Sequence, residues 1–354
     1  MSPAAPTARR LRATEAHLGR TVRHVYGQIR SVGLPLVCGT ARAAAIVVVL
    51  TALVACTGSG GASVDAGPLR IATGEVGGVY NAYGAGVAAA VRADLPQLTP
   101  SVLATDASAA NLRMLDARQA EVGFTLADTA ADAIRGRGVF QRPIDIVALA
   151  RLYDNYVQLV VPARSPVREL DHLRGRRVST GAPGSGTDLV ADRLLAVRRL
   201  AQGRDVRTAN LGLEASARAL RSGEIDAFFF FGGIPTPAIA TLARSMPVRV
   251  IPLGKWVGDL AREFPGLYTE AVIPKGPYSL AEPVDTVSVP NYLVVRRDLD
   301  RELAYRLTRL LFTRTDRLAA AHPEGRRLSS RSAISTYPLA LHPGAQRWYR
   351  EARR

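Results

Sequence analysis

Cysteine is almost missing from this chain: Cys38 and Cys56 are the only two in 354 residues. Cys38 lies in an N-terminal stretch with the marks of a removable signal. The body then keeps at most Cys56, which excludes a disulfide framework and a thiolate metal site. Lysine is as rare, with only Lys255 and Lys275 among 46 basic residues. The formal charge of +16 is unevenly placed. Residues 1–55 hold seven Arg and one Glu, and the rest of the chain carries 39 basic and 29 acidic residues. No dense basic run interleaved with aromatics follows residue 56, which argues against nucleic acid as a partner. The remaining excess reads as a solvated basic surface, or as one that attracts anions or anionic headgroups. Beyond residue 56 the only histidines are His172, His322 and His342. None lies near a second ligand at metal spacing, and surface or packing roles are expected for all three. No G-x-S-x-G, H-E-x-x-H or paired-cysteine motif occurs. No nucleophile, base and orienting partner assemble. Neither an enzyme nor a bound cofactor or metal is expected.

No long apolar run is present either. The longest, residues 43–55 (AAAIVVVLTALVA), would span about 20 Å as a helix, against ~30 Å of bilayer hydrocarbon. It therefore reads as the core of a signal peptide. The signal is placed at residues 1–55, with a basic segment longer than usual. Leu53-Val54-Ala55-Cys56 follows, and then the Gly/Ser-rich TGSGGASVDAG. Leu-x-Ala-Cys in this position resembles the lipobox of bacterial lipoproteins, which implies lipidation at Cys56. The expected location is the outer face of the cell membrane, with anchoring through Cys56. Residues 56–67 form a flexible linker with a reach of about 18 Å.

What the sequence has in quantity is apolar residues (47%) and glycine (31 residues), in a globular balance. From Leu69, short β-like runs alternate with helical patterns: LRIATG, YNAYGAGVAAAVRADL, SVLATD, SAANLRMLDARQA, EVGFTLA and DTAADAIRG. DIVALARLY and YVQLVVPA are strongly β-like. A second alternating set runs from VRELDHLRGRRVST to VRVIPLG. Two more β runs in VDTVSVPNYLVVRRDL and helices in DRELAYRLTRLLFTRTDRLAAA and GAQRWYREARR close the chain. Alternation of this kind predicts an α/β fold with mostly parallel strands. A chain that builds one lobe, then a second, and returns to the first predicts two hinge crossings. The boundaries are set at 68–154, 155–284 and 285–354. A cleft between such lobes is the natural ligand site.

Four loops of small residues open helices: GEVGGVYNAYG, DASAANL, GAPGSGTD and FFGGIPT. Loops of this kind turn backbone N–H groups toward a ligand. GAPGSGTD has the glycine spacing of a phosphate loop, but Thr187 stands where its lysine belongs, so nucleotide hydrolysis ranks low. One helix dipole contributes about 0.3–2 kcal/mol. A micromolar ligand needs about 8 kcal/mol. One loop is insufficient, whereas several converging loops suffice.

GGVYNAYGAGVA, SAANLRML, AEVGFTLADTA, LDHLRGRRVSTGAPGSGTDLVADRLL, IDAFFFFGGIPTPAI, VPNYLVVRRDL and LHPGAQRWYRE occur in this order between Leu69 and Glu351. Together they resemble the TAXI family of solute receptors, the extracytoplasmic binding proteins of one class of TRAP transporters. The resemblance implies a two-lobed, type II periplasmic-binding-protein-like fold and a monomer. It also implies a ligand such as glutamate, glutamine or 2-oxoglutarate, and a TRAP-type membrane permease as partner. Carried over by position, the contacts in the first lobe are Gly77, Gly78, Val79, Tyr80, Ser108, Asn111 and Thr125. Tyr153 lies at the first hinge, and Asp128 is either a helix N-cap or a ligand group. In the second lobe they are Gly184, Ser185, Gly186, Thr187, Gly232 and Gly233. The family's Glu is missing from Ala107-Ser108-Ala109-Ala110-Asn111. No arginine stands in any matched position, so a carboxylate would be held by neutral donors. A sensing role with a membrane kinase is the alternative; a phosphate-ligand enzyme on a similar fold ranks below it.

Overall fold

The computed structural model describes residues 64–354. The signal segment, Cys38, Cys56 and most of the linker lie outside the described residues. The first part runs β1 (Gly67–Ala72), α1 (Val79–Asp94), β2 (Leu98–Leu103), α2 (Ser108–Asp116), β3 (Val122–Leu126) and α3 (Ala127–Arg135). The long strand β4 (Ile146–Pro162) leads into β5 (Arg177–Ser179), α4 (Gly186–Val197), β6 (Arg207–Ala209), α5 (Leu213–Ser222), β7 (Ala227–Gly232), α6 (Pro237–Ser245) and β8 (Val248–Val250). Then come α7 (Val257–Glu263), β9 (Thr269–Ile273), the long strand β10 (Val284–Arg296), α8 (Arg301–Thr313), α9 (Thr315–Ala321), α10 (Ser330–Ala333) and α11 (Pro343–Glu351).

One sheet runs in the order β2-β1-β3-β10-β4-β7-β5-β6, with β8 beside β4 and β9 beside β10. Its two ends are parallel sets, β2-β1-β3 and β7-β5-β6. Between them β10 and β4 pair antiparallel with each other, with β3 and with β7. Mostly parallel strands hold for the two ends, and the centre differs. β4 pairs with β10 up to Tyr156 and with β7 from Tyr156 to Val160, so it passes from one set to the other. The α/β class with two crossings is the one expected of a type II periplasmic-binding-protein-like fold.

Two local expectations change. DIVALARLY and YVQLVVPA form one continuous 17-residue strand. VDTVSVPNYLVVR is likewise one strand, although Pro290 lies inside it. The pairing with β4 shifts register between Pro290 and Tyr292, an irregularity of the kind at which a strand accommodates proline. The expected long helix near the C-terminus breaks at Arg314 (φ −122°, ψ 37°), whose guanidinium binds Asp94 at 2.6 Å. No helix among the described residues is long and apolar enough to cross a membrane.

His322 and His342, each followed by proline, prove to be buried helix caps. His342 Nδ1 accepts from Gly344 N–H at 3.1 Å and Nε2–H donates to Leu299 O at 3.0 Å. His322 repeats the pattern with Glu324 N–H and Pro235 O. Each ring thus uses one nitrogen as acceptor and one as donor, which only the neutral form satisfies. Burial holds both pKa values below the ordinary 6.5. The folded state therefore binds fewer protons than the unfolded one. The associated stability is present above about pH 6.5 and falls away as pH drops through the folded values. Urea unfolding at pH 7.5 and pH 5.0 is expected to show a larger acid loss for the natural protein than for His342→Asn, which keeps a cap acceptor but does not titrate. Equal losses would exclude this role for His342.

Candidate functional site

The carboxyl ends of the parallel strands carry the helix starts, and four of these border a single cavity. After β1, the turn Gly74–Gly78 delivers the start of α1, with Gly77 at φ +85° and Gly78 N–H bonded to Glu75 O at 3.0 Å. After β2, Ala107 takes φ +64°, held by its N–H on Thr105 Oγ1 at 2.9 Å. After β5, Gly181 and Gly184 take φ +99° and +70° before Ser185 caps α4 by accepting from Asp188 N–H at 3.1 Å. After β6, Gly212 caps α5. The cavity lies where these starts meet, with β4 and β7 as its floor.

Five aromatic residues stand in its walls: Tyr80, Tyr153 and Phe229–Phe231. Tyr80 stacks on Phe124 with ring centres 5.1 Å apart, and its hydroxyl accepts from Asn155 Nδ2 at 3.2 Å. Tyr153 stacks on Tyr83 and is 4% exposed, and its hydroxyl has no hydrogen-bond partner among the described residues. Burial pushes the Tyr80 and Tyr153 hydroxyls well above the usual tyrosine range, so both stay neutral. The cavity volume is about 50 Å³. At about 10–15 Å³ per water that is room for about three to five waters, so a larger solute needs the walls to part.

Two contacts join the turn before α1 to α5, and α3 to α4, and only the first involves the cavity lining. Glu75, in the first turn, accepts from Leu213 N–H at the start of α5 at 2.5 Å. Burial pushes the Glu75 carboxyl up, the Leu213 N–H opposes this, and nearby Asp106 and Glu214 raise it further. Outside the cavity lining, Arg193 of α4 binds Asp128 and Asp132 of α3, and Tyr268 joins them by donating to Asp128 at 2.6 Å. Asp128 is therefore an ion-pair partner. It neither caps α3, whose N-cap is Leu126, nor lines the cavity.

Of the residues expected from sequence, Gly78, Val79, Tyr80, Ser108 and Tyr153 line the cavity, as do Ser185, Gly186, Thr187 and Gly232. Gly77 and Gly184 shape the turns behind it. A Cβ on Gly233 would meet Tyr153 and Glu324, which places that residue behind the wall. Asn111 and Thr125 stand elsewhere. Asn111 donates to Thr73 O at 2.6 Å and to Phe124 O at 2.8 Å and accepts from Thr105 Oγ1 at 2.6 Å, so its amide ties loops together and has nothing left for a ligand. Thr125 is fully buried and donates to Leu126 O at 3.2 Å. The residues that sequence reasoning missed are chiefly Glu75, Asp106 and Asn155. Glu75 and Asp106 stood inside two of the loops already singled out. Asn155 lies two residues after Tyr153 on β4, hence on the same face. The cavity lining contains no Arg, Lys or His.

Similar architectures occur among solved structures. The periplasmic aliphatic sulphonate binding protein SsuA from Escherichia coli is 17% identical over 82% of this chain and 84% of its own, with a TM-score of 0.45. The alkanesulfonate-binding protein SsuA from Xanthomonas axonopodis pv. citri is 15% identical over 81% and 85%, with a TM-score of 0.46. A putative L-cystine ABC transporter protein from Listeria monocytogenes is 15% identical over 73% and 94%, with a TM-score of 0.46. Residues 71–352 match the model of the NMT1-like family, and the chain belongs to that family.

Proposed function

We propose that this protein is an extracytoplasmic solute-binding receptor of the TAXI type. It grips an amino acid or small carboxylate in the cavity and delivers it to a TRAP-type membrane permease, without chemistry. The observation that carries the reading is the convergence of four helix starts from two parallel strand sets on one compact, partly aromatic cavity. The starts of α1, α2 and α4 offer first-turn N–H groups that lack intrahelical partners, while at α5 the Leu213 N–H already meets Glu75. A few charge-assisted hydrogen bonds at about 1.5–3 kcal/mol each reach micromolar affinity. The hinges are proposed on β4 near residues 154–155 and at the start of β10 near 284–285, the two strands that run between the sets. Titration calorimetry of the purified protein against amino acids and small carboxylates is the test. Binding of at least one compound, with a raised melting temperature, is expected. If no compound in either class bound or altered melting, the receptor reading would fall. Lipidation at Cys56 is part of the proposal, and Cys56→Ser is expected to move the protein from the membrane to the soluble fraction.

A further inference from the structure

The charges around the cavity are arranged as opposed poles. The starts of α2 and α4 present partial positive charge and N–H groups, which favour an anion. At α5 that place is already taken by Glu75, the protein's own carboxylate. Asp106 lines the cavity next to the Ala107 turn, and Glu214 stands close enough to Glu75 to raise its proton affinity. No cationic side chain among the cavity residues balances Glu75 and Asp106. A dicarboxylate would bring two more negative charges to a site that already holds two. A ligand ammonium would instead supply the cation that is missing.

Two further features point to a ligand with a polar head and an apolar body. The Tyr153 hydroxyl is buried in the cavity wall without a partner among the described residues. Phe229–Phe231 of β7 also line the cavity, and of their rings the half-buried Phe230 is the most accessible apolar one. We infer that the cavity takes a zwitterionic amino acid with an apolar side chain. Its ammonium lies beside Glu75 and Asp106, its carboxylate meets the first-turn N–H groups of α2 and α4, and its side chain lies on the phenylalanines of β7. The Tyr153 hydroxyl completes the polar head. This inference rests on the receptor reading and narrows it to one ligand class.

The test is calorimetric titration of the full chain with L-leucine and L-phenylalanine. Isocaproate and hydrocinnamate, which lack the amine, are run beside them, as are L-glutamate and 2-oxoglutarate. At least one of the two amino acids is expected to bind. Its amine-free analogue and both dicarboxylates are expected to bind about 10- to 100-fold more weakly, the range of one charged hydrogen bond. Asp106→Asn is expected to narrow the gap between the amino acid and its analogue about tenfold, as is Glu75→Gln. Asp106 is exposed, so its variant keeps the test valid if loss of the Glu75 contact unfolds the chain. Tighter binding of glutamate or 2-oxoglutarate would overturn the inference while leaving the receptor reading intact. So would amine-free analogues that bind equally well, or a gap unchanged in both variants. Failure of every amino acid and carboxylate to bind would overturn the receptor reading itself.

Discussion

Replacing Arg193 by methionine is expected to lower the unfolding free energy by about 3–5 kcal/mol, the cost of stranding a buried charge. The Arg193 guanidinium, carried by α4, reaches across to α3. It pairs with Asp128, whose side chain is fully buried, and with Asp132, which is nearly so. It also donates to Tyr268 Oη at 3.0 Å and lies 4.1 Å above the Phe264 ring. Methionine keeps much of the stem's packing but removes every donor. Asp128 and Asp132 would then repel each other, with Tyr268 and Thr129 left as donors to Asp128 and no cation between the two acids. Burial already raises the Asp132 carboxyl, and Arg193 is the first of the influences that oppose this. Without Arg193 the folded pKa rises further above the unfolded value. The penalty is then fully present at neutral pH and shrinks as pH falls and the acid takes up a proton. Urea unfolding at pH 7 and pH 4.5 checks this. The gap between natural protein and variant should narrow at the lower pH, while the histidine contribution is common to both and cancels. A gap below about 1 kcal/mol at pH 7, the worth of an exposed pair, would mean that the cluster is solvated.

Little of this cluster was legible in the sequence, and the reason is distance along the chain. Arg193 and Asp128 are 65 residues apart, and Tyr268 lies 140 residues from Asp128. Local patterns do carry the alternation of strands and helices, because each element's periodicity is set by its own burial. They fail at β4 and β10, where polar or ring residues interrupt the apolar runs. Asp154 and Asn155 split one strand into two apparent ones, and Pro290 does the same to the other. Yet Asn291, next to that proline, donates to Tyr153 O at 2.6 Å and fastens the two long strands together. At the site, glycine spacing located the turns because backbone geometry is local. It could not reveal that the Asn111 amide was already spent on Thr73 and Phe124. Attention to donors also passed over the acids. Glu75 was visible between Gly74 and Val76, but its contact with Leu213 spans 138 residues.

Gly186→Val is expected to weaken solute binding about 10- to 100-fold while changing stability far less. A Cβ at Gly186 would stand 2.5 Å from Leu126 Cδ1 and 2.8 Å from Ser108 Oγ. Leu126 is 1% exposed and has no room to withdraw. Leu126 ends β3 and Ser108 opens α2, both on the side of the first strand set, while Gly186 opens α4 after β5 in the other. The clash therefore arises only when the two sides of the cavity meet. A core overpacked in this way loses about 1–3 kcal/mol. Within a single packed layer that loss would appear as instability. On the hinge mechanism proposed above it is relieved by separation of the two sides, so the expected loss falls on the closed state that would hold the ligand. One to three kcal/mol off closure corresponds to about a 5- to 150-fold loss of affinity. Calorimetry on the amino-acid panel, paired with urea unfolding of the same variant, separates the two outcomes. Gly186→Ala should lie between the natural protein and the valine variant. Unchanged affinity in the valine variant would mean that α4 does not approach β3 when solute is bound. The missing lysine of this loop then takes on a different meaning. A bulkier residue at Gly186 would collide with Leu126 and Ser108, whereas glycine lets the start of α4 lie against them.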